Sequence, residues 1–210
     1  MNLEKAIQIA VDAHTGQIDK GNNPYIFHPL RVMLSLENEE EQIVGILHDV
    51  VEDCDGWTYE KLRSEGFSEN ILDALRSVSK TDREEVEFKS ACEENKLKYY
   101  LQFISRAKEN KIGKKVKIAD LKDNLDISRI NDITEQDKSR LKRYQKALEL
   151  LEMKYTIKKT AMYGTSYIGE FDTYADASAV AQQLVSTSSN EIFVEVVSSD
   201  QNSRKNQLIK

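Results

Sequence analysis

Apolar residues recur at helical spacing through most of the chain and at strand-like spacing only near its end. Leu3, Ala6, Ile7, Ala10 and Val11 mark a first helix behind Asn2, a suitable N-cap, running to about His14 or Gln17. Ile18–Pro24 is built from turn residues. A second helix starts near His28-Pro29, where proline suits the first turn, and carries Leu30, Val32, Met33, Leu34 and Leu36. The stretch Glu40–Asp53 stands apart. Ile43, Val44, Ile46, Leu47, Val50 and Val51 leave no broad polar face, the pattern of a buried helix. Thr58 and Ser68 are placed to cap two further helices, the second burying Ile71, Leu72, Leu75 and Val78. Lys80–Glu87 is charged and predicts a mobile connection. Beyond it come a long amphipathic helix over Glu87–Glu109, another over Lys111–Ile127, and a last one over Thr134–Tyr155.

The pattern changes after Lys159. Tyr163–Phe171 has strand character, Asp172–Val185 reads as a helix, and Ile192–Val197 is rich in β-formers. The expected organisation is therefore mainly α: an all-helical domain over residues 1–155 and a small β-α-β appendage over 156–210. The appendage is too small for a self-sufficient core, so it is expected to lean on the helical domain or on a second subunit of a homo-oligomer. The final dozen residues are polar and read as frayed.

Charge and composition narrow the function classes. A net charge of −6 over 210 residues argues against broad nucleic-acid affinity. Two cysteines, Cys54 and Cys92, are too few for a disulfide framework or a cysteine-type zinc site and point to a reducing compartment. The charged N-terminus is no signal peptide and no apolar run reaches membrane-spanning length, so the expectation is a cytoplasmic protein without a membrane partner.

The chemistry-bearing residues gather at the end of the buried stretch. Helical spacing puts Glu52 one turn beyond His48 and Asp53 one turn beyond Asp49. Buried carboxylates need compensation, which a divalent cation would give; the alternative is a helix end that simply emerges into solvent. The remaining histidines are His14 and His28. Imidazole mixed with carboxylate suits Mn²⁺, Fe²⁺ or Zn²⁺ better than Ca²⁺ or Mg²⁺. Asp120 is a further candidate, with Asn124 one turn later; an ordinary i,i+4 hydrogen bond would explain that pair taken alone and counts for less beside the other residues. The loop after the central helix cannot be an EF-hand, since aligning Gly56 with the obligatory glycine puts Val51 and Leu62 at ligand positions. A Gly-rich phosphate loop, a GxSxG elbow and a CxxC pair are all lacking.

Four motifs in order, His14-Thr-Gly-Gln17 with Lys20-Gly, Pro24-Tyr-Ile-Phe-His28-Pro, His48-Asp49-Val-Val-Glu52-Asp53 and Lys117-Ile-Ala-Asp120-Leu-Lys-Asp-Asn124, resemble the HD-domain phosphohydrolases. Among these the resemblance is nearest to the (p)ppGpp hydrolase domain of the RelA/SpoT family and its small alarmone hydrolases, and it covers about residues 1–155. It implies an HD-type helical bundle in which His28, His48, Asp49 and Asp120 hold one metal ion, usually Mn²⁺. It further implies that Glu52 and Asp53 position and deprotonate the attacking water, and that Lys20 and Asn124 line the nucleotide pocket. The implied reaction is removal of the 3′-pyrophosphate from (p)ppGpp or a related nucleotide. The alternatives are an HD phosphohydrolase for another nucleotide and a non-catalytic nucleotide-binding HD module. Two positions depart from the family pattern: Asp19, where an arginine usually precedes the lysine, and Asp123, where histidine or tyrosine is usual. Asp19 is expected to point into solvent from its loop.

Overall fold

The computed structural model describes residues 2–129, 132–161, 164–187, 192–199 and 207–209. The chain forms two compact units, Met1–Leu151 and Glu152–Lys210.

In the first unit, α1 (Leu3–Ala13) starts at Asn2, whose Oδ1 accepts from the Lys5 N–H at 3.0 Å. α2 (Phe27–Leu34) packs against α3 (Glu39–Leu47), the element at the middle of the core. Ile43, Val44, Ile46 and Leu47 are at most 1% exposed, which matches a helix apolar all round. Gly45 lets α2 come close. A Cβ there would stand 2.6 Å from Leu36 Cδ1 and 3.3 Å from the Met33 Cα.

The central stretch is not one continuous helix. It breaks at His48-Asp49 and resumes as α4 (Val50–Asp53), with Asp49 at φ −100° and ψ −6°, the sparsely populated bridge region. A sequence without Pro or Gly at the break gave no warning of it. α5 (Tyr59–Ser64) and α6 (Glu69–Val78) start at Thr58 and Ser68 as expected, each side chain accepting a backbone N–H.

Lys80–Glu87 is not a loose connection. α7 (Asp82–Ser90) begins there with a reciprocal capping box between Thr81 and Glu84, which offsets the weakness of a helix with no buried residue. The long helix expected over Glu87–Glu109 is accordingly split, and α8 spans Glu93–Glu109. α9 (Lys111–Leu125) ends before Ile127, which begins a 3₁₀ turn, and α10 covers Glu135–Glu152. A second apolar cluster of Tyr100, Phe103, Ile104, Leu121, Ala147 and Leu151 joins these last helices.

The second unit is a four-stranded antiparallel sheet with one helix: β1 (Tyr155–Ala161), β2 (Gly164–Phe171), α11 (Tyr174–Thr187), β3 (Phe193–Ser198) and β4 (Gln207–Ile209), in the order β2-β1-β3-β4. The expected β-α-β unit thus lacked two strands, and the 155/156 boundary falls inside β1. That strand, YTIKKTA, hides its β-character behind two lysines, yet Ile157 faces the core opposite Ile168 and Val196. Tyr163, the first residue of the expected strand, lies outside the described residues. So do 200–206 and 210 of the tail called frayed, whereas Gln207–Ile209 pairs with β3. Ala177 and Ala181, fully buried, give α11 the small face that packs on Ile157, Val194 and Val196.

Candidate metal centre and cavity

Three elements of the first unit converge on one point. His28 occupies the first turn of α2, where Pro29 has no N–H to leave unpaired. His48 and Asp49 sit at the break between α3 and α4, which turns both side chains to the same side. Asp120 comes from the middle of α9. His48 Nε2 is 3.0 Å from Asp49 Oδ2 and 3.8 Å from Asp120 Oδ1; His28 Nε2 is 3.6 Å and 3.3 Å from the same two oxygens. One ligand atom each from His28, His48 and Asp49 lies within 4.8 Å of the others, and Asp120 adds an oxygen beside both rings.

The ring orientations fit a cation. His48 Nδ1 lies 2.8 Å from the Gly45 carbonyl, which can only accept, so Nδ1 carries the proton and the neutral ring's lone pair sits on Nε2. That buried Nε2 has no hydrogen-bond partner among the described residues. His28 is arranged alike, its Nδ1 2.7 Å from Asp123 Oδ2. In their neutral forms the two imidazoles therefore aim bare Nε2 atoms at a point flanked by two carboxylates, the donor set suited to Mn²⁺, Fe²⁺ or Zn²⁺.

Charges at this point are mutually dependent. Burial pulls the His48 imidazole down, but Asp49 and Asp120 outweigh it and leave its pKa well raised; His28 is raised likewise by Asp120 and Asp123 against its own burial. Burial pushes Asp49 up, and the two histidines more than reverse this. For Asp120 burial is overcome by Lys117, 2.8 Å from Oδ2, and by both imidazoles, so it stays well below the usual carboxylate range. Tyr25 Oη donates to Asp49 Oδ2 at 2.6 Å and fixes that carboxylate.

A cavity of about 920 Å³ opens onto the cluster. His28, Asp49, Asp120 and Asn124 line it, as do Glu52 and Asp53. Burial, then the charges of Asp49 and Glu52, raise the Asp53 carboxyl to about 6. Lys80, Arg76, Arg106, Arg140 and Arg143 also reach the cavity, giving it a cationic wall in an acidic protein. The volume suits a drug- or nucleotide-sized ligand.

Of the residues singled out in the sequence, His28, His48, Asp49 and Asp120 come together, and Glu52, Asp53 and Asn124 border the same cavity. Asn124 Nδ2 also donates to Asp120 Oδ1 at 2.6 Å, so the ordinary helical hydrogen bond exists beside the cluster. Lys20 is elsewhere. It is not among the cavity-lining residues, and its Nζ pairs with Asp137 Oδ1 at 2.5 Å. Asp19 is half-buried and not simply solvated, because its Oδ1 accepts the Gly21 and Asn23 N–H groups at 2.9 and 2.8 Å. Sequence reasoning missed Tyr25 and the cationic wall. Tyr25 stood in plain view in Pro-Tyr-Ile-Phe-His, but nothing in its spacing pairs it with Asp49. The arginines come from three helices and show no local pattern.

No protein-family model matches the chain. It is 35% identical over 103 residues to the guanosine-3′,5′-bis(diphosphate) 3′-pyrophosphohydrolase of Aquifex aeolicus (strain VF5), covering 47% of this chain and 14% of that protein. It is 34% identical over 85 residues to the bifunctional (p)ppGpp synthase/hydrolase SpoT of Escherichia coli (strain K12), covering 39% and 12%. The chain thus matches only a small part of the length of these relatives. A solved structure described as a metazoan ortholog of SpoT that hydrolyzes ppGpp shares the fold, with a TM-score of 0.54 and 22% identity over 70% of this chain and 82% of that one. By sequence over part of its length and by fold, the chain is similar to the RelA/SpoT-type HD hydrolases.

Proposed function

We propose that the first unit is a metal-dependent hydrolase that removes the 3′-pyrophosphate from (p)ppGpp or a closely related alarmone nucleotide. The observation that carries this reading is the convergence of His28, His48, Asp49 and Asp120 on one point, beside a cavity with a cationic wall. Those four residues would hold the cation, with Mn²⁺ the first candidate. When bound, it supplies positive charge against the phosphoryl oxygens and makes a water a better nucleophile.

The remaining steps belong to the protein's own side chains. Asp53, with a pKa near 6, is poised to accept the proton of the attacking water at neutral pH. Glu52, beside it, orients that water and holds the start of α7 through the Lys80 N–H. Tyr25 and Asn124 fix Asp49 and Asp120. Arg140, Arg143 and Lys80 provide charge-assisted hydrogen bonds for the phosphates.

The relatives named for (p)ppGpp hydrolysis support the substrate class, and the lack of any helix long and apolar enough to cross a membrane among the described residues is compatible with a cytoplasmic site of action. We assign the chemistry to residues 1–155 and none to the β-rich unit. Lys20, engaged with Asp137, favours keeping other nucleotides in view as substrates. The test is hydrolysis of guanine and adenine alarmones and of nucleoside monophosphates, each with Mn²⁺ and with chelator. Pyrophosphate release from ppGpp that needs Mn²⁺ supports the reading. Activity on monophosphates alone, or none with any nucleotide, overturns it.

A further inference from the structure

Asp123 marks a departure from the pattern of the family the chain resembles, and it lies against a residue of the candidate metal centre. Its Oδ2 is 2.7 Å from His28 Nδ1. Arg31, one turn beyond His28 on α2, grips the same carboxylate as a fork, Nε to Oδ1 at 2.6 Å and Nη2 to Oδ2 at 3.1 Å. The side chains of His28 and Asp123 are 9% and 12% exposed, so water offers little competition for this contact.

We propose that Asp123, held by Arg31, is a positioning residue that fixes the tautomer and orientation of His28 for metal binding. The inference rests on reading His28, His48, Asp49 and Asp120 as the metal site.

A carboxylate has no hydrogen to give, so the His28–Asp123 contact requires the proton on Nδ1, and in the neutral ring this leaves Nε2 bare for a cation. His48 reaches the same state through a backbone carbonyl. The difference matters, because a carbonyl is fixed by its helix whereas a side-chain carboxylate must itself be held. Arg31 does that. Its charge also offsets a third acid beside Asp49 and Asp120, which would otherwise crowd the centre with negative charge. The competing explanation is that Arg31–Asp123 merely ties α2 to α9, in which case His28 would be indifferent to the loss of Asp123.

The two explanations separate in protein with ¹⁵N-labelled histidine. In the metal-free form, at a pH above the raised pKa of the ring, neutral His28 is expected as the Nδ1–H tautomer in the wild type and in Asp123→Asn, whose amide oxygen still accepts. Asp123→Ala should move it toward Nε2–H. Titration with Mn²⁺ should then show Asp123→Ala weakened by about 10- to 100-fold and Asp123→Asn close to wild type. Asp123→Leu, with the same branching and unable to accept, serves should the alanine variant not fold. An unchanged His28 tautomer together with wild-type Mn²⁺ affinity in Asp123→Ala or Asp123→Leu, whatever their melting temperatures, would overturn the proposal. Failure of the wild type to bind Mn²⁺ would instead strike the metal reading, and the tautomer comparison, made without metal, would still decide what Asp123 does to His28.

Discussion

The Lys80 N–H donates to Glu52 Oε1 at 2.8 Å, and Lys80 Nζ stands 3.5 Å from the same oxygen. Glu52 is therefore cavity wall and anchor at once, holding the segment that leads into α7. The neighbouring Asp53 carboxylate carries no such tie among the described residues. The two acids should consequently respond differently to amide substitution. Glu52→Gln keeps an oxygen for the Lys80 N–H and is expected to lose about tenfold in kcat, whereas Asp53→Asn, which removes the proton acceptor, should lose about 10²- to 10⁴-fold. Both should keep their Mn²⁺. Steady-state kinetics with metal analysis checks this; a more severe loss in Glu52→Gln at full metal content would exchange the two roles.

The raised pKa of Asp53 has a stability consequence in the metal-free protein. Its carboxyl moves from an ordinary 3.8 to about 6 on folding, so the folded chain holds a proton that the unfolded chain has released. Stability contributed by this group is complete below about pH 4 and is lost as pH rises to about 6, then stays flat. The side chain is only partly buried, and its exposed part lets solvent screen the effect to about 1 kcal/mol or less. Asp53→Asn should thus melt higher than the wild type at pH 7 and equal to it near pH 4. Thermal melts in chelator across that range test the sign. An Asn variant less stable at pH 7 would show that Asp53 is held by a partner.

His48 offers a cleaner measure of the metal centre than any carboxylate, since its bare Nε2 is buried and its Nδ1 is already spent on Gly45. Metal bound to the folded chain at 100 times Kd should stabilise it by about 2.7 kcal/mol by mass action. Mn²⁺ is therefore expected to raise the melting temperature of the wild type, with chelator reversing the gain. His48→Ala should melt at one temperature with or without Mn²⁺. A metal-induced shift that survives in His48→Ala would place the cation elsewhere.

What the sequence made legible follows the range of the interactions involved. Helical periodicity and the caps Asn2, Thr58 and Ser68 are local, and they are found where the pattern puts them. The cluster of His28, His48, Asp49 and Asp120 was legible through motifs, because residue types that cost so much to bury announce a purpose. The break after Leu47 was not, since tertiary packing turns His48 and Asp49 inward without any helix-breaking residue. The role of Asp123 was hidden for a different reason. Its partners His28 and Arg31 are more than ninety positions away, beyond any spacing argument. β1 was missed because two lysines in a seven-residue strand dilute its alternation.

Lys20 and Asp19 make the last test, where resemblance and geometry pull apart. The resemblance implies that Lys20 meets the nucleotide, yet its Nζ lies 2.5 Å from Asp137 and outside the cavity lining. Asp19, beside it, spends Oδ1 on two backbone N–H groups of its own loop. Asp19→Asn preserves that acceptor and should leave stability and activity nearly unchanged, whereas Asp19→Ala should cost about 1–2 kcal/mol by orphaning the loop. Asp19→Arg is expected to lose that stability too, so any gain in attraction for an anionic nucleotide would come with a loosened loop. For Lys20 itself, the pair with Asp137 is half-exposed, and Lys20→Met should change KM for ppGpp by less than about fivefold. Direct contact with a phosphate would instead cost about 1.5–3 kcal/mol, roughly tenfold or more in KM. A rise of that size in Lys20→Met, shrinking as salt is added, together with a lower KM in Asp137→Asn, would show that Lys20 leaves Asp137 to take the substrate.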